Sequence, residues 1–125
     1  SVTIVATDEN DSKTIQGYYS VSSGEVAFDE LPSEISKKLP KYPVPIMRIG
    51  RLAVDKTQKG KGLGRELLVD AFARALRAAD IMGVFAVVVD AKNDAAKSFY
   101  KKYGFIELKD KPMVLFIAIE TIRDA

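Results

Sequence analysis

Eight residues decide the fold of this chain, and they read Gln58-Lys59-Gly60-Lys61-Gly62-Leu63-Gly64-Arg65. Glycines at alternate positions allow positive φ angles and let several backbone N–H groups face one concavity. A helix that begins here adds its own unpaired N–H groups and its dipole, so the stretch is typical of an anion site, above all for phosphate. Its two lysines and its arginine strengthen that site. The alternative is a tight turn from a strand into a helix and nothing more.

On either side of this glycine turn (residues 58–65), the sequence predicts a strand, a long helix and a second strand. The first strand runs from Ile46 to Asp55, and a slip in its apolar phase predicts a bulge near Gly50-Arg51. The helix ends at Gly83, and its apolar stripe comprises Leu63, Leu67, Leu68, Ala71, Phe72, Ala75, Leu76 and Ala79. Residues 84–89 are apolar without alternation, which indicates a buried strand parallel to its neighbour. The three elements form a βαβ unit.

The remaining segments complete a mixed sheet. An antiparallel hairpin is predicted over residues 2–21, and one or two helical turns are predicted between Asp29 and Leu39. A second helix is predicted from about Asp94 to Tyr103, followed by strands at 105–108 and 113–119. Because the chain has 125 residues and no repeat or linker, we predict a single domain of the α/β class over residues 1–125.

The composition excludes several kinds of chemistry. The chain has no cysteine and no histidine, which excludes a Ser-His-Asp triad, a thiol nucleophile, a disulfide, a zinc finger and a histidine base. Acid–base work therefore falls to Tyr, Asp, Glu, Lys, a terminus or water. The lack of cysteine fits a reducing cytosol, and it fits many secreted proteins too. No apolar run or signal pattern predicts a membrane segment, and a cytoplasmic protein is expected.

Positive charge is concentrated in one part of the chain. The segment from Arg48 to Arg77 carries three acidic residues against eight basic ones, namely Arg48, Arg51, Lys56, Lys59, Lys61, Arg65, Arg74 and Arg77. This excess favours an anionic ligand, although a solvated helix face and loop would explain it as well. The glycine turn is neither a P-loop, because Gly62 follows Lys61 where a hydroxyl is needed, nor a G-x-G-x-x-G dinucleotide fingerprint.

The glycine turn does resemble the pyrophosphate loop of the GNAT N-acetyltransferase superfamily, which carries Gln/Arg-x-x-Gly-x-Gly/Ala after a bulged strand. This chain departs from the pattern at Lys59, where Gln or Arg is usual. Residues 93–105 resemble a second family motif, N-x-x-A-x-x-F-Y-x-x-x-G-F, and its positions are matched by Asn93, Ala96, Phe99, Tyr100, Gly104 and Phe105. The two motifs occur in the family's order and at its usual separation.

The resemblance implies a mostly antiparallel sheet whose central strands splay apart around the βαβ unit. It implies acetyl-CoA as co-substrate and no metal. The diphosphate of acetyl-CoA would bind residues 59–65, and its pantetheine arm would pair with the backbone of Leu52, Ala53 and Val54. Other acetyl-CoA contacts would come from Asn93, Ala96 and Phe99.

By the same resemblance, Tyr100 is the general acid that protonates the leaving thiolate, and its ordinary pKa near 10 suits that task. The alternative for Tyr100 is a helix aromatic packed in the core. For the other tyrosines a core or surface role is the better interpretation: Tyr18, Tyr19, Tyr42 and Tyr103.

A narrower resemblance covers nearly the whole chain. Residues 49–55, 60–64 and 67–71, with Gly17-Tyr18-Tyr19-Ser20 and Tyr42-Pro43-Val44-Pro45 upstream, look like the GNAT toxins of bacterial toxin–antitoxin pairs. Such enzymes acetylate the α-amine of charged tRNA, which blocks translation; they form homodimers and are neutralised by a ribbon-helix-helix antitoxin. Arg48 and Arg51 are then candidates for contacts to the acceptor stem, although an ion pair on the strand would also explain Arg51.

The family normally has a strand and two helices before the hairpin, and this sequence starts at the hairpin, through either truncation or true absence. The runner-up is therefore an ordinary GNAT enzyme that acetylates a small amine, a peptide or a protein N-terminus. A CoA-binding module without catalysis is a third interpretation. No general base stands out among Asp55, Glu25 and Glu30, which favours an α-amine acceptor, because an α-amine is already partly neutral at pH 7.

Overall fold

The computed structural model describes residues 1–37, 39 and 43–124. Six strands form one sheet within these residues, in the order β1-β2-β3-β4-β6-β5. Their bounds are β1 Val2–Asp8, β2 Asp11–Val26, β3 Val44–Val54, β4 Ala86–Asp90, β5 Ile106–Leu108 and β6 Lys111–Ala118. The helices are α1 Ser33–Ser36, α2 Leu63–Met82, α3 Asp94–Lys102 and α4 Ile119–Arg123. Of the predicted residues, Tyr42 and part of the helical stretch 29–39 lie outside the described ranges.

The predicted βαβ unit is confirmed. Strands β3 and β4 are parallel and α2 connects them, whereas the other neighbouring strands are antiparallel. Helix α2 ends at Gly83, whose φ of 70° places it in the left-handed region. The predicted apolar stripe faces the sheet, and its buried members are Leu67, Leu68, Ala71 and Ala75.

A β-bulge interrupts β3 where the sequence predicts one. Ser20 pairs with Arg51 while the next residue, Val21, pairs with Ile49, so Gly50 is an extra residue on β3. A Cβ at Gly50 would lie 3.0 Å from the Oγ of Ser20, which explains why glycine occupies the bulge. The extra residue changes the phase of the strand and places Leu52 on the same face as Ile49.

Beyond the bulge the two central strands separate. The pairing between β3 and β4 runs from Ile46 opposite Ala86 to Ile49 opposite Val89 and ends there. Residues 50–54 remain paired with β2, but along their other edge no strand lies among the described residues. The predicted splay of the central strands is therefore confirmed, and residues 50–54 present a free edge.

Two apolar clusters cover the two faces of the sheet. The face that packs against α2 and α3, here called the helix face, holds Tyr19, Ile49, Val87 and Tyr100. The opposite face, here called the back face, is built around Val26, Ile46, Val88 and Phe116. None of the helices in the described part of the chain is both long enough and apolar enough to span a membrane.

Several predicted bounds are wrong. Strands β3 and β6 begin two residues before the predicted positions, at Val44 and Lys111, and β4 begins two residues after, at Ala86. Strand β2 has 16 residues and continues well past Val21, because its second half pairs with the first half of β3. Ile119 is predicted to end the last strand, but it begins α4. The N–H of Ile119 still donates to the carbonyl oxygen of Phe85 at 2.8 Å, in register with the sheet, and from this residue the chain turns into the helix.

Candidate active site

A cleft of about 480 Å³ opens where β3 and β4 separate. Its lining residues are Tyr18, Ile49, Gly50, Arg51, Leu52, Ala53, Asp90, Ala91, Lys92, Ala96 and Tyr100. Five of the predicted site residues therefore lie together in one place: Arg51, Leu52, Ala53, Ala96 and Tyr100. The free edge of residues 50–54 forms one wall, and the end of β4 with the first turns of α3 forms the other.

Side chains from both faces of the sheet line this cleft. Leu52 pairs with the buried Tyr19 and belongs to the helix face, as does Tyr100 on α3. Ala53 pairs with Tyr18 and lies on the back face. Asp90 follows Val88 by two residues, and the alternation of a strand places it on the back face as well. A ligand in the cleft can therefore meet a partner that arrives from the other side of the sheet.

Tyr100 is buried at the helix-face side of the cleft. Its ring packs against the rings of Phe99 and Phe105, with centroids 5.4 and 5.3 Å away. Burial raises the pKa of its hydroxyl to about 12, so the hydroxyl keeps its proton at neutral pH. Burial is the single cause of the raised pKa, which means that no hydrogen bond to a protein group contributes to it. Among the described residues, every polar side-chain atom that is buried has a hydrogen-bond partner. The Tyr100 hydroxyl therefore reaches the surface of the cleft.

The glycine turn has the backbone geometry that was expected of an anion site. Gly60 and Gly62 have φ angles of 80° and 82°, and a Cβ at either would meet nothing within 4 Å. Within the described residues, the backbone N–H groups of Gly60 and Gly62 to Arg65 have no acceptor. Five N–H groups and the positive end of the 20-residue helix α2 thus converge at an open turn.

Packing connects this turn to the cleft. Gly64 is helical, and a Cβ there would lie 3.5 Å from Phe99 and 3.8 Å from Val54. These are ordinary van der Waals distances, so the start of α2 lies in contact range of α3 and of the end of β3. The side-chain oxygen of Asn93 accepts the N–H of Ala96 at 2.8 Å and caps α3. Asn93, Phe99, Val54 and the turn lie beside the cleft and do not line it.

The basic residues of segment 48–77 are divided between the two sides of the sheet. Arg48 lies on the back face and pairs with Asp90 at 2.7 Å, and Arg51 lines the cleft. Arg74, on α2, donates to the hydroxyl of Tyr19 at 2.8 Å, and that hydroxyl donates to Asp70. Tyr19 is fully buried, which confirms its core role and also explains the position of Arg74.

Comparison with known families agrees with this geometry, because residues 1–107 match the family model of the acetyltransferase (GNAT) domain. The chain belongs to the GNAT acetyltransferase family. The resemblance carried by the glycine turn and by residues 93–105 is thereby confirmed.

Two similar proteins, one of them in two solved structures, indicate where in the GNAT family the chain lies. It is 37% identical over 109 residues to the tRNA-acetylating toxin of Mycobacterium tuberculosis (strain ATCC 25618 / H37Rv), and the matched region covers 87% of this chain and 65% of the relative. The chain thus spans slightly less than two thirds of that relative's length. Its fold is similar to AtaT complexed with acetyl-methionyl-tRNAfMet, with a TM-score of 0.90, 28% identity, and 97% and 72% of the two chains covered. It is also similar to a mutant AtaT toxin bound to the C-terminus of the antitoxin AtaR and acetyl-CoA, with a TM-score of 0.73, 25% identity, and 89% and 65% covered.

Sequence reasoning missed six residues that line the cleft of this GNAT domain, and three of them have polar side chains: Tyr18, Asp90 and Lys92. Tyr18 is half-buried there, so neither a core nor a plain surface role describes it. A signal for Asp90 was present in the sequence, because it is the first charged residue after the buried run 84–89. Ligands bind at the carboxyl ends of parallel strands, and Asp90 ends β4.

The three candidate bases lie elsewhere. The carboxylate of Asp55 accepts the N–H and the hydroxyl of Thr57, and these hydrogen bonds lower its pKa. Glu30 pairs with Lys111 at 2.5 Å, which lowers the pKa of Glu30. Glu25 pairs across the sheet with Pro45, at the end of β3 opposite to the point where β3 and β4 separate, here called the fork. No three potential metal ligands come together within the described part of this GNAT domain.

The raised pKa of Tyr100 predicts a specific pH dependence of stability. The pKa of about 12 in the folded state exceeds the ordinary value of 10.0, so the folded protein binds this proton more tightly than the unfolded chain does. The resulting contribution to the free energy of unfolding is fully present below pH 10 and is lost between pH 10 and 12. We expect Tyr100→Phe, which has no proton to lose, to weaken that decline in the free energy of unfolding. Urea denaturation at a series of pH values in this window measures it. Part of the decline remains in the variant, because burial also raises the pKa of Tyr19 to about 12. Equal declines in the two proteins would contradict the assignment.

Proposed function

We propose that this GNAT domain is an acetyl-CoA-dependent N-acetyltransferase whose acceptor is the α-amine of aminoacyl-tRNA. The observation that carries the proposal is the convergence of a free strand edge, a protonated tyrosine hydroxyl and an open anion site around one cleft. These are the three features that a long, anionic thioester requires. The whole domain, residues 1–125, is proposed to act as a single unit.

The residues present fit acetyl-CoA. Its diphosphate would bind the free N–H groups of the glycine turn, with Lys59, Lys61 and Arg65 adding positive charge. Because those contacts come from the backbone, Lys59 in place of Gln or Arg changes the affinity and not the mode of binding. The pantetheine arm would pair with the edge of Leu52, Ala53 and Val54 as an added strand does. Ala96, with Asn93 and Phe99 beside it, would close the opposite wall.

Acetyl-CoA supplies an activated acetyl group, and its transfer requires a neutral amine and a proton for the departing thiolate. Tyr100 holds a proton at the helix-face side of the cleft, and we assign it the role of general acid, as the family motif implies. Burial lowers the fraction of tyrosinate and thereby keeps the acid form present before transfer. A buried proton donor at this position argues against a CoA-binding module without catalysis.

The acceptor assignment rests on three supports. The toxin of Mycobacterium tuberculosis acetylates tRNA, and AtaT is complexed with an acetylated aminoacyl-tRNA. An α-amine needs no strong base, in keeping with the remote positions of Asp55, Glu25 and Glu30. Arg51 and Lys92 line the cleft, and Arg48 lies at its back-face edge, where they could meet phosphates. The division of the basic segment between two sides of the sheet favours the second candidate, an ordinary GNAT enzyme with a small amine or peptide substrate.

The same proposal includes partners and a location. AtaT binds the C-terminus of its antitoxin AtaR, and we propose a ribbon-helix-helix antitoxin for this domain. A homodimer is supported by the exposed apolar side chains Ile81 and Met82 at the end of α2, of the kind that subunit contacts cover. The cytoplasm follows as the location from the proposed substrate, because charged tRNA is found there.

The diphosphate site is tested by Gly62→Glu. The substitution places a side chain and a negative charge where the diphosphate would approach the N–H groups, and it should abolish acetyl-CoA binding in calorimetry. Gly83→Glu is the matched control, because Gly83 has the same left-handed conformation at the other end of α2 and equally open surroundings. It should lose similar stability and keep its affinity. A folded Gly62→Glu protein with wild-type affinity would refute the site.

The acid is tested by Tyr100→Phe. Removal of one hydroxyl should leave acetyl-CoA affinity nearly intact and lower kcat by ~10²–10⁴, the usual contribution of general acid catalysis. Tyr103→Phe removes a neighbouring hydroxyl from the same aromatic cluster and should retain its turnover. Wild-type turnover in Tyr100→Phe would assign Tyr100 a packing role only.

The acceptor is tested by offering charged tRNA, free amino acids, spermidine and a lysine peptide with labelled acetyl-CoA. Charged tRNA should be preferred, and its acetylation should weaken steeply with salt, by about one unit of log–log slope per phosphate contact. Arg51→Ala should reduce that slope, whereas Arg77→Ala, at an exposed position of α2, should not. Turnover of a small amine or the peptide without charged tRNA would favour the ordinary acetyltransferase.

A further inference from the structure

The ion pair between Arg48 and Asp90 closes the back-face side of the fork. Asp90 is the first residue of β4 beyond its pairing with β3, and it lines the cleft. Arg48, one residue before the last paired position of β3, holds its carboxylate through Nη1 at 2.7 Å and does not itself line the cleft. Of the carboxylates in the described residues, Asp90 alone lines the cleft that Tyr100 enters from the other face.

We propose that one substrate divides this ion pair, such that its α-amine, which arrives as the ammonium group and gives a proton to water before transfer, takes Asp90 and one of its phosphates takes Arg48. The inference rests on the proposed function and specifies how the acceptor is recognised. In the free protein, the guanidinium occupies the carboxylate that an incoming ammonium group needs. A substrate that carries both charges satisfies both partners of the pair.

The exposure of the pair makes this exchange inexpensive. The Arg48 side chain is 35% exposed and that of Asp90 is 54% exposed, and ion pairs of this kind add little to stability. Neither group becomes a buried, unpaired charge when the pair opens. The cost of opening is therefore small for a substrate that replaces both contacts, and it is uncompensated for one that replaces a single contact.

The neighbouring charges favour a substrate that carries a phosphate. Glu30 pairs with Lys111 at 2.5 Å, so its carboxylate already has a cationic partner. Arg51 and Lys92 add two cations to the cleft lining and repel an amine that has no anionic group attached. Aminoacyl-tRNA carries its amine and its terminal phosphates on one strand end, whereas spermidine and free amino acids carry no phosphate.

The consequence is a selectivity that Arg48 controls. With Arg48 in place, small amines must compete with the guanidinium for Asp90. Without it, Asp90 is free for any ammonium group, and charged tRNA loses one phosphate contact. A single substitution therefore has effects of opposite sign on the two kinds of acceptor.

The experiment measures kcat/KM for bulk aminoacyl-tRNA and for a mixture of amino acid amides, with labelled acetyl-CoA as donor. Arg48→Ala should lower the value for charged tRNA by about tenfold, as expected for one lost charge-assisted contact, and should raise the value for the amides. Asp90→Asn should lower both values by about ten- to hundredfold, through KM more than through kcat. Arg123→Ala breaks another exposed arginine–aspartate pair, with Asp80 at 2.5 Å, away from the cleft, and should change neither.

A decrease of the same size for both acceptors in Arg48→Ala would overturn this proposal, because the ion pair would then have only a structural role. The proposed function would still stand in that case, provided that the wild-type protein acetylates charged tRNA. Wild-type activity on the amides with none on charged tRNA would overturn the proposed acceptor and this inference together. Wild-type values for both acceptors in Asp90→Asn would also overturn this proposal, because Asp90 would then bind no amine, and would leave the proposed function intact.

Discussion

One extra residue in the third strand governs the functional half of this molecule. Gly50 is accommodated as a bulge against β2, and the pairing of β3 with β4 ends at the residue before it. A regular ladder here would close the sheet, leaving neither a free edge at residues 50–54 nor a cleft. Because the bulge also changes the phase of β3, Leu52 turns to the helix face and Arg51 with Ala53 to the back face. The cleft, its two-sided lining and the position of Asp90 at its mouth all follow from this interruption.

The two elements that we propose to bind anions obtain their positive charge in different ways. The glycine turn relies on unpaired N–H groups and on the dipole of α2, which are fixed by the backbone. The back-face side of the cleft relies on arginine side chains, one of which is already paired with an aspartate. A backbone site suits an invariant diphosphate, whereas exposed ion pairs can be rearranged by the substrate that enters. This contrast fits one donor molecule and a larger, variable acceptor.

The sequence predicted the parts of the site that depend on local patterns. Three features can be recognised from a few neighbouring residues: the turn at Gly60 and Gly62, the bulge near Gly50 and the buried strand 84–89. The placement of Tyr100 was carried by a family motif, and the structure brings it to the cleft that the strands leave open. The roles assigned to individual residues there stay predictions.

Other features could not be predicted, because they join residues far apart in the chain. Arg48 and Asp90 are 42 positions apart, and Arg74 and Tyr19 are 55 apart, so only the register between strands and helices brings them together. The basic segment 48–77 looked like one surface, yet Arg74 is engaged in the packing of α2 on β2, while Arg48 lies on the back face. These contacts depend on the face of the sheet on which each side chain lies, and the order of charges along the sequence carries no information about that face.

The central claim is that acetyl-CoA lies along the fork between β3 and β4. Chemical-shift mapping of the backbone amides by NMR, with acetyl-CoA added to the labelled protein, tests it most directly. The account predicts shifts at residues 50–54, at the glycine turn and at the start of α3. A second cavity of about 620 Å³ lies at the other end of the molecule, between the end of α2 and α4, and is lined by Pro45, Val84, Phe85 and Ile119. Shifts confined to that cavity, with the turn and the free edge unchanged, would contradict the account.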